Sequence, residues 1–294
     1  IMGPRAKINY GENMKGIILA GGHGTRLYPV TISTSKQLLP IYDKPLIFYP
    51  LTTLIEAGIR DIAIIIKTED EKSFTDLLGD GSRFGIKITF FFQDVPRGLA
   101  EAFIITEKFI GNSDVTLILG DNLFYGSSFN KLLKEDFSGG ARIYCSRVND
   151  PERYGVLQLK KGEAVSIIEK PKKFISAWAV TGVYTYDSSV IKLAKNLKPS
   201  KRGELEITDL NKIFLDTGRL NSQFFDDDIV WMDTGTFESM KEASEFVAAI
   251  QKRQDVLVGS PELSAFKNKW VGKSDIRKNI SFTNEYSNKL LELI

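Results

Sequence analysis

The apolar run Ile17-Ile18-Leu19 breaks into a glycine-rich turn, Gly21-Gly22-His23-Gly24, and Arg26 and Lys36 follow it. A buried strand that ends this way exposes several backbone N–H groups in one concavity. Glycines let an anion come close to that backbone, and the two cations add fixed positive charge. The pattern asks for a sheet with a phosphate site at a strand's carboxyl end, and it suits a nucleoside triphosphate. Two better-known phosphate motifs are excluded. The dinucleotide fingerprint G-x-G-x-x-G fails because Leu27 stands where its last glycine belongs. The P-loop pattern G-x-x-x-x-G-K-[ST] does not occur.

The rest of the chain supplies such a sheet. Apolar, β-branched runs at 17–19, 62–66, 86–92 and 115–119 alternate with helical patterns near 49–57, 73–78 and 99–109. This order predicts an α/β fold, a mostly parallel doubly wound sheet with helices on both faces and ligands at the carboxyl ends of its strands. Residues 141–186 read as mostly β, a mixed or antiparallel extension. Helices are expected at 189–196 and 206–217, short strands near 220–225 and 229–232, and a long helix over 237–253. Three segments result: a polar leader, 1–13, flexible or foreign to the fold; a catalytic domain, 14–256, with Met14 as a natural start; and a small helical appendage, 257–294.

Composition narrows the chemistry. Across 294 residues, 39 lysines and arginines face 37 acidic residues, a net charge of +2, so neither nucleic acid nor a membrane surface is an expected partner. No apolar run approaches the length of a membrane span. His23 is the single histidine, which removes Ser-His-Asp and Cys-His catalysis and a His-rich zinc site. Cys145 is the single cysteine; it sits in a strand pattern, reads as a buried thiol, and fits a reducing, cytoplasmic setting.

Two carboxylates end short apolar runs: Asp121 in Gly120-Asp121-Asn122 and Asp233 in Trp231-Met232-Asp233. Mg²⁺ needs one or two protein carboxylates, with phosphates and water completing its shell. Capping of the following segment is the alternative role for both. Further on, Glu169-Lys170-Pro171 ends another strand. Lys170, biased towards extended geometry by Pro171, can meet the phosphate of a sugar phosphate, and Glu169 can accept from sugar hydroxyls. Tyr154 offers a flat wall, and the glycines around Gly155 and Gly182 let hydroxyls reach the backbone. Gln93 carries a donor and an acceptor suited to the imide edge of thymine or uracil, with Gly98 giving backbone access. The acidic residues of 204–209 read as charges at a helix start.

These stretches together resemble the sugar-phosphate nucleotidyltransferases, signature L-A-G-G-x-G-T-R-L-x-P-x-T. SKQLLPIYDKP, LGDNLFYG, NDPERYGV, EKP, VTGVY, KPSKRGELEITDLN and WMDTGT point to the thymidylyltransferase branch. The resemblance implies a nucleotide-diphosphosugar transferase (Rossmann-like) fold, dependence on Mg²⁺ at Asp121 and Asp233, and a homotetramer whose tails build a regulatory nucleotide site. It implies a reaction of dTTP with glucose 1-phosphate that gives dTDP-glucose and pyrophosphate. The nucleotide would lie on Leu19, Gly21, Gly22, Gly24, Thr25, Arg26, Lys36, Gln37, Gln93, Pro96, Gly98 and Asp121. The sugar would lie on Leu119, Asn122, Tyr154, Gly155, Glu169, Lys170, Val180 and Trp231. Arg26, Lys36, Lys170 and Asp121 would carry the chemistry. His23, Arg97 and Glu101 depart from the pattern, and the last two flank the presumed base pocket, where they put base preference in question. A uridylyl- or cytidylyltransferase, or a silent sugar-nucleotide-binding module, are the alternative readings.

Overall fold

The computed structural model describes residues 14–294; the expected leader lies outside the described residues. The first half runs β1 (Met14–Leu19), the hairpin β2 (Pro40–Ile41) and β3 (Lys44–Pro45), then α1 (Phe48–Glu56), β4 (Asp61–Ile66), α2 (Glu71–Leu78), β5 (Lys87–Phe92), α3 (Glu101–Ile105), α4 (Glu107–Ile110) and β6 (Asp114–Leu119). Next come β7 (Asn122–Tyr125), α5 (Ser127–Leu133), β8 (Ala141–Arg147), β9 (Gly155–Lys160), β10 (Glu163–Glu169) and β11 (Trp178–Tyr186). They are followed by α6 (Ser189–Asn196), α7 (Ile207–Asp216), β12 (Leu220–Phe224), β13 (Val230–Asp233) and α8 (Phe237–Gln254).

β1 lies at the centre, parallel to β4 and β6, with Ile18 opposite both Ile64 and Ile118. β5 continues the parallel half beyond β4. On the other side β11 runs antiparallel to β6 and carries β8 and β9; β10 closes a hairpin with β9, and β12 adds parallel to β8. Side chains alternate across a strand. Ile18 therefore enters the core formed with Leu51, Leu54 and Ile64, and Ile17 enters the opposite core with Ile65, Phe103 and Tyr186. Strands buried on both faces must be apolar throughout, which is why these runs stand out in the sequence.

Three features depart from the expected pattern. The helix expected over 99–109 is split at Thr106, whose hydroxyl donates to the Ala102 carbonyl at 2.6 Å; such back-bonding competes with the helix ladder. β7 and α5 were not expected, and β7 pairs antiparallel with β13, setting Asn122 opposite Asp233. The strand expected from residue 86 starts at Lys87.

The C-terminal segment forms α9 (Pro261–Lys267), α10 (Lys273–Asn279) and α11 (Glu285–Leu293) around Leu257, Leu263, Ile276 and Leu290. It docks on α1, where Asn268 Nδ2 donates to the Ile55 carbonyl at 2.7 Å and Ser264 to Glu56 at 2.8 Å. No helix among the described residues is long and apolar enough to cross a membrane.

Phe103 is fully buried with its ring 5.1 Å from that of Tyr186, so it ties α3 to the sheet. Phe103→Ala is expected to lower stability by about 3–5 kcal/mol. Urea denaturation at unchanged slope checks this; an unmoved midpoint would contradict the packing.

Candidate active site

At the carboxyl rim of the sheet the glycine turn follows β1. Gly24 has φ +60°, and a Cβ there would lie 2.9 Å from Thr31 Cγ2, so this position requires glycine. Gly22 and Thr25 are exposed, and Gly21 is buried. The turn carries Arg26 across to β13, where a Cβ on Gly235 would sit 2.7 Å from the guanidinium. Gly235 thus lets the arginine lie flat on the backbone just past Asp233.

Lys36, 6% exposed, forms an ion pair with Asp121 Oδ2 at 2.6 Å. Asp121 Oδ1 accepts from Asn122 Nδ2 at 2.9 Å, and its carbonyl accepts from the backbone and hydroxyl of Thr234 at 3.0 and 2.8 Å. β6 and β13 are thereby stitched together beside both candidate metal carboxylates. The Asp233 carboxyl is held above its ordinary pKa by burial and then by the charge of Asp121, against the pull of Lys36, Arg26 and Arg153. Two mutually repelling carboxylates of this kind fit a divalent cation. No cluster of three or more His, Cys, Asp or Glu ligands occurs among the described residues, so a cation here would need oxygens from phosphate or water.

Some of the residues expected on the sugar side gather around Asn122. Its Oδ1 accepts from Trp231 Nε1 at 2.6 Å and presses on Gly182, where a Cβ would be 2.4 Å away. Gly182 lies in the stretch where β11 shifts register against β8, between Val180 and Tyr184. The Trp231 and Tyr154 rings lie 5.0 Å apart, and the Tyr154 hydroxyl is pushed up to about 12 by burial and by Asp233. Glu169 Oε2 accepts from Thr208 Oγ1 at 2.5 Å and lies close to Gly155. Leu19 and Leu119 end paired strands beneath these residues, and Gln37 packs its Cγ against Gly120.

Lys170 does not take the extended geometry expected before Pro171; its φ is +43°. Its N–H donates to the Tyr154 carbonyl at 2.9 Å, which closes the β9–β10 pair, and the chain turns out of the sheet at that point. The lysine side chain is exposed. Lys170 and Arg26 form no ion pair among the described residues, unlike Lys36, although the charge of Arg26 acts on Asp233.

On the base side, Gly98 has φ +101°, and a Cβ there would lie 2.4 Å from the Leu205 carbonyl oxygen. The close approach this glycine permits is to the Leu205 backbone, whose N–H donates to the Arg97 carbonyl at 2.7 Å. Gln93 is buried and donates to Glu101 at 2.7 Å; Pro96 lies in the loop that follows. The two departures, Arg97 and Glu101, are an ion pair at 2.7 Å.

Sequence reasoning passed over two cations. Arg153 reaches Asp150 at 2.7 Å and Asp233 at 3.3 Å and covers the Tyr154 ring. Arg202 pairs with Glu206 at 2.9 Å and lies 3.8 Å from Glu169. Both stand inside quoted motifs, NDPERYGV and KPSKRGELEITDLN, which was the available signal. Glu206 and Asp209 do begin α7, as charges at a helix start.

Residues 15–250 match the family model described as Nucleotidyl transferase. A glucose-1-phosphate thymidylyltransferase of Neisseria meningitidis is 50% identical over 96% of this chain and 99% of its own length, and one from Mycobacterium tuberculosis is 47% identical over 96% of this chain and 99% of its own. The chain belongs to the nucleotidyl transferase family, among the glucose-1-phosphate thymidylyltransferases. Solved structures of this fold agree. A Bacillus anthracis protein described as such an enzyme, crystallised with a sucrose, superposes on this nucleotidyl transferase with a TM-score of 0.73 at 41% identity, covering 79% of this chain and 94% of that one. A UDP-glucose pyrophosphorylase complexed with UDP-glucose gives 0.71 at 26% identity, covering 81% and 99%.

Cys145 lies on β8 with no exposed surface, and burial pushes its thiol pKa far up. A thiol reagent is expected to leave the folded protein unlabelled and fully active, and to label it once unfolded. Rapid labelling with loss of activity would reopen the question of a cysteine nucleophile.

Proposed function

We propose that this chain transfers the thymidylyl group of dTTP to α-D-glucose 1-phosphate and releases pyrophosphate. The observation that carries the reading is the meeting of the glycine turn, Lys36, Asp121 and Asp233 on one rim, in a chain about half identical to thymidylyltransferases across almost its whole length. The sugar-phosphate oxygen attacks the α-phosphorus in line; that P–O bond forms as the bond to the pyrophosphate oxygen breaks. No protein nucleophile is needed. The attacking phosphate, with a second pKa of about 6, is already largely deprotonated near neutral pH, so no histidine base is required. The protein's work is positioning and charge stabilisation.

Arg26, with the backbone of Gly21, Gly22, Gly24 and Thr25, receives the departing pyrophosphate, and Lys36 assists from its place on Asp121. Lys170, exposed on its turn, orients the incoming phosphate, while Glu169 and the Asn122, Tyr154 and Trp231 group hold the sugar. Asp121 and Asp233 would hold Mg²⁺, which supplies charge neutralisation at the α-phosphate when bound. Gln93 meets the base, between Pro96 and the glycine turn. A homotetramer and a cytoplasmic setting follow from the family resemblance and complete the proposal.

Pyrophosphate release with four nucleoside triphosphates, each crossed with several sugar 1-phosphates, tests the reading. The expected order is dTTP, then UTP, then CTP. A methyl-sized difference is worth about 1–3 kcal/mol, roughly 10–200-fold, so UTP should be a measurable poor substrate. Excess chelator should silence every reaction and Mg²⁺ restore it. A preference for CTP, or full activity in chelator, overturns the assignment.

Arg26→Ala is expected to reduce kcat by roughly 10²–10³-fold, the usual loss for one donor to developing charge. A value close to wild type would return the glycine turn to a purely structural role.

A further inference from the structure

We propose that Glu101, held by Arg97, locks the side-chain amide of Gln93 in the one orientation that accepts from a pyrimidine imide, and so sets the discrimination against cytosine nucleotides. The proposal rests on the thymidylyl reading above. It gives a sign to the two departures flanking the base pocket.

An amide side chain is nearly symmetric in shape, and its oxygen and nitrogen ends exchange by a half-turn. What it meets decides which end faces a ligand. Gln93 meets Glu101, a buried carboxylate at 2.7 Å from Nε2. Arg97 holds the carboxylate through its backbone N–H at 3.2 Å and through its guanidinium at 2.7 Å. An ionised carboxylate accepts and never donates. The reversed amide would set Gln93 Oε1 against a carboxylate oxygen with no proton between them, which a buried site disfavours strongly. One Nε2 proton is therefore committed to Glu101, and Oε1 is the accepting end left for a ligand.

Oε1 turns to the phosphate loop: a Cβ placed on Gly21 would lie 3.3 Å from it. No donor meets this oxygen among the described residues. Thymine and uracil carry a donor, N3–H, at the matching position, whereas cytosine carries an acceptor at N3. A Gln93 locked oxygen-outward pairs with the first two at N3 and opposes the third there, and cytosine meets it only by shifting its edge to present its N4 amino group. With glutamine at position 101, two amides would face each other, both orientations would be satisfied, and Gln93 could turn its NH₂ towards cytosine. Glu101 is in this account a positioning residue that acts through Gln93.

The test measures kcat/KM for dTTP, UTP and CTP with wild type, Glu101→Gln and Glu101→Asp, alongside calorimetric binding of the same nucleotides without sugar phosphate. Glu101→Gln should lower the dTTP-over-CTP preference at least about tenfold, because a mismatched polar edge accounts for large selectivity. The dTTP-over-UTP ratio should stay put, since those bases share the imide edge. Glu101→Asp keeps an acceptor-only partner and should keep the preference. Equal losses for all three nucleotides would make Glu101 merely structural and overturn the proposal, as would an unchanged dTTP-over-CTP ratio in Glu101→Gln. Wild type that turns over no dTTP overturns the functional reading instead, and the binding ratios then judge the amide lock by themselves.

Discussion

Two carboxylates that repel each other at neighbouring strand ends are the constraint on which this molecule is organised. Asp121 follows β6 and Asp233 ends β13, and burial together with Asp121 holds Asp233 above its ordinary pKa. Such a pair is tolerated when cations stand beside it. Lys36 is nearly buried to pair with Asp121, Arg153 reaches Asp233, and Arg26 lies across Gly235. The backbone shares the task, because Thr234 donates twice to the Asp121 carbonyl and fixes the two segments relative to each other. Three stretches distant in sequence are thus committed to one point.

The sheet makes that point rigid. β1 is paired on both sides, as are β4 and β6, so the glycine turn leaves from a fully paired strand. Glycines then stand where backbone or side chain must come close. Gly182 yields to Asn122, Gly235 to Arg26 and Gly98 to the Leu205 backbone. Gly235 and Gly98 bring the later chain against the parallel half, and Gly182 brings β11 against β7. The candidate site lies at the end of β1, between β4 on one side and β6 on the other, where a doubly wound sheet places its ligands.

Much of this was legible because strands buried on both faces are apolar without interruption, and the residues after them are the rim by topology. That logic puts the glycine turn, with Arg26 after it, and Asp121 on one rim; Asp233 and Lys36 join them through the motif pattern. β7 was not legible: Asn122 and Tyr125 face a small sheet whose partner is more than a hundred residues away, and no local period announces it. Lys170 shows a local rule overridden, since the bond to Tyr154 that closes β9–β10 outweighs the bias from Pro171. Arg153 and Arg202 were missed because a surface arginine in a charged motif carries no signal until its partners are known. The Arg97–Glu101 pair illustrates the same limit: read singly, each is a departure, and folded together they satisfy one another.

The near-neutral overall charge leaves phosphate recognition to the pairing pattern at the rim. Lys36 and Arg153 are each committed to a carboxylate, and Arg202 to Glu206. A phosphate that meets these cations exchanges one anionic partner for another, so the net gain from each is small even though the geometry is fixed. Arg26 and Lys170 differ, having no such partner among the described residues, and both project from backbone that leaves the sheet at a turn. Lys170 forms no ion pair, and the charge of Arg26 acts on Asp233 only at longer range, so both gain where new negative charge must be met. In a phosphoryl transfer that charge lies on the departing pyrophosphate and the incoming phosphate, on opposite sides of the α-phosphorus. Of the three cations that the motifs bring to the rim, Lys36 is held in an ion pair with Asp121, whereas Arg26 and Lys170 form none among the described residues.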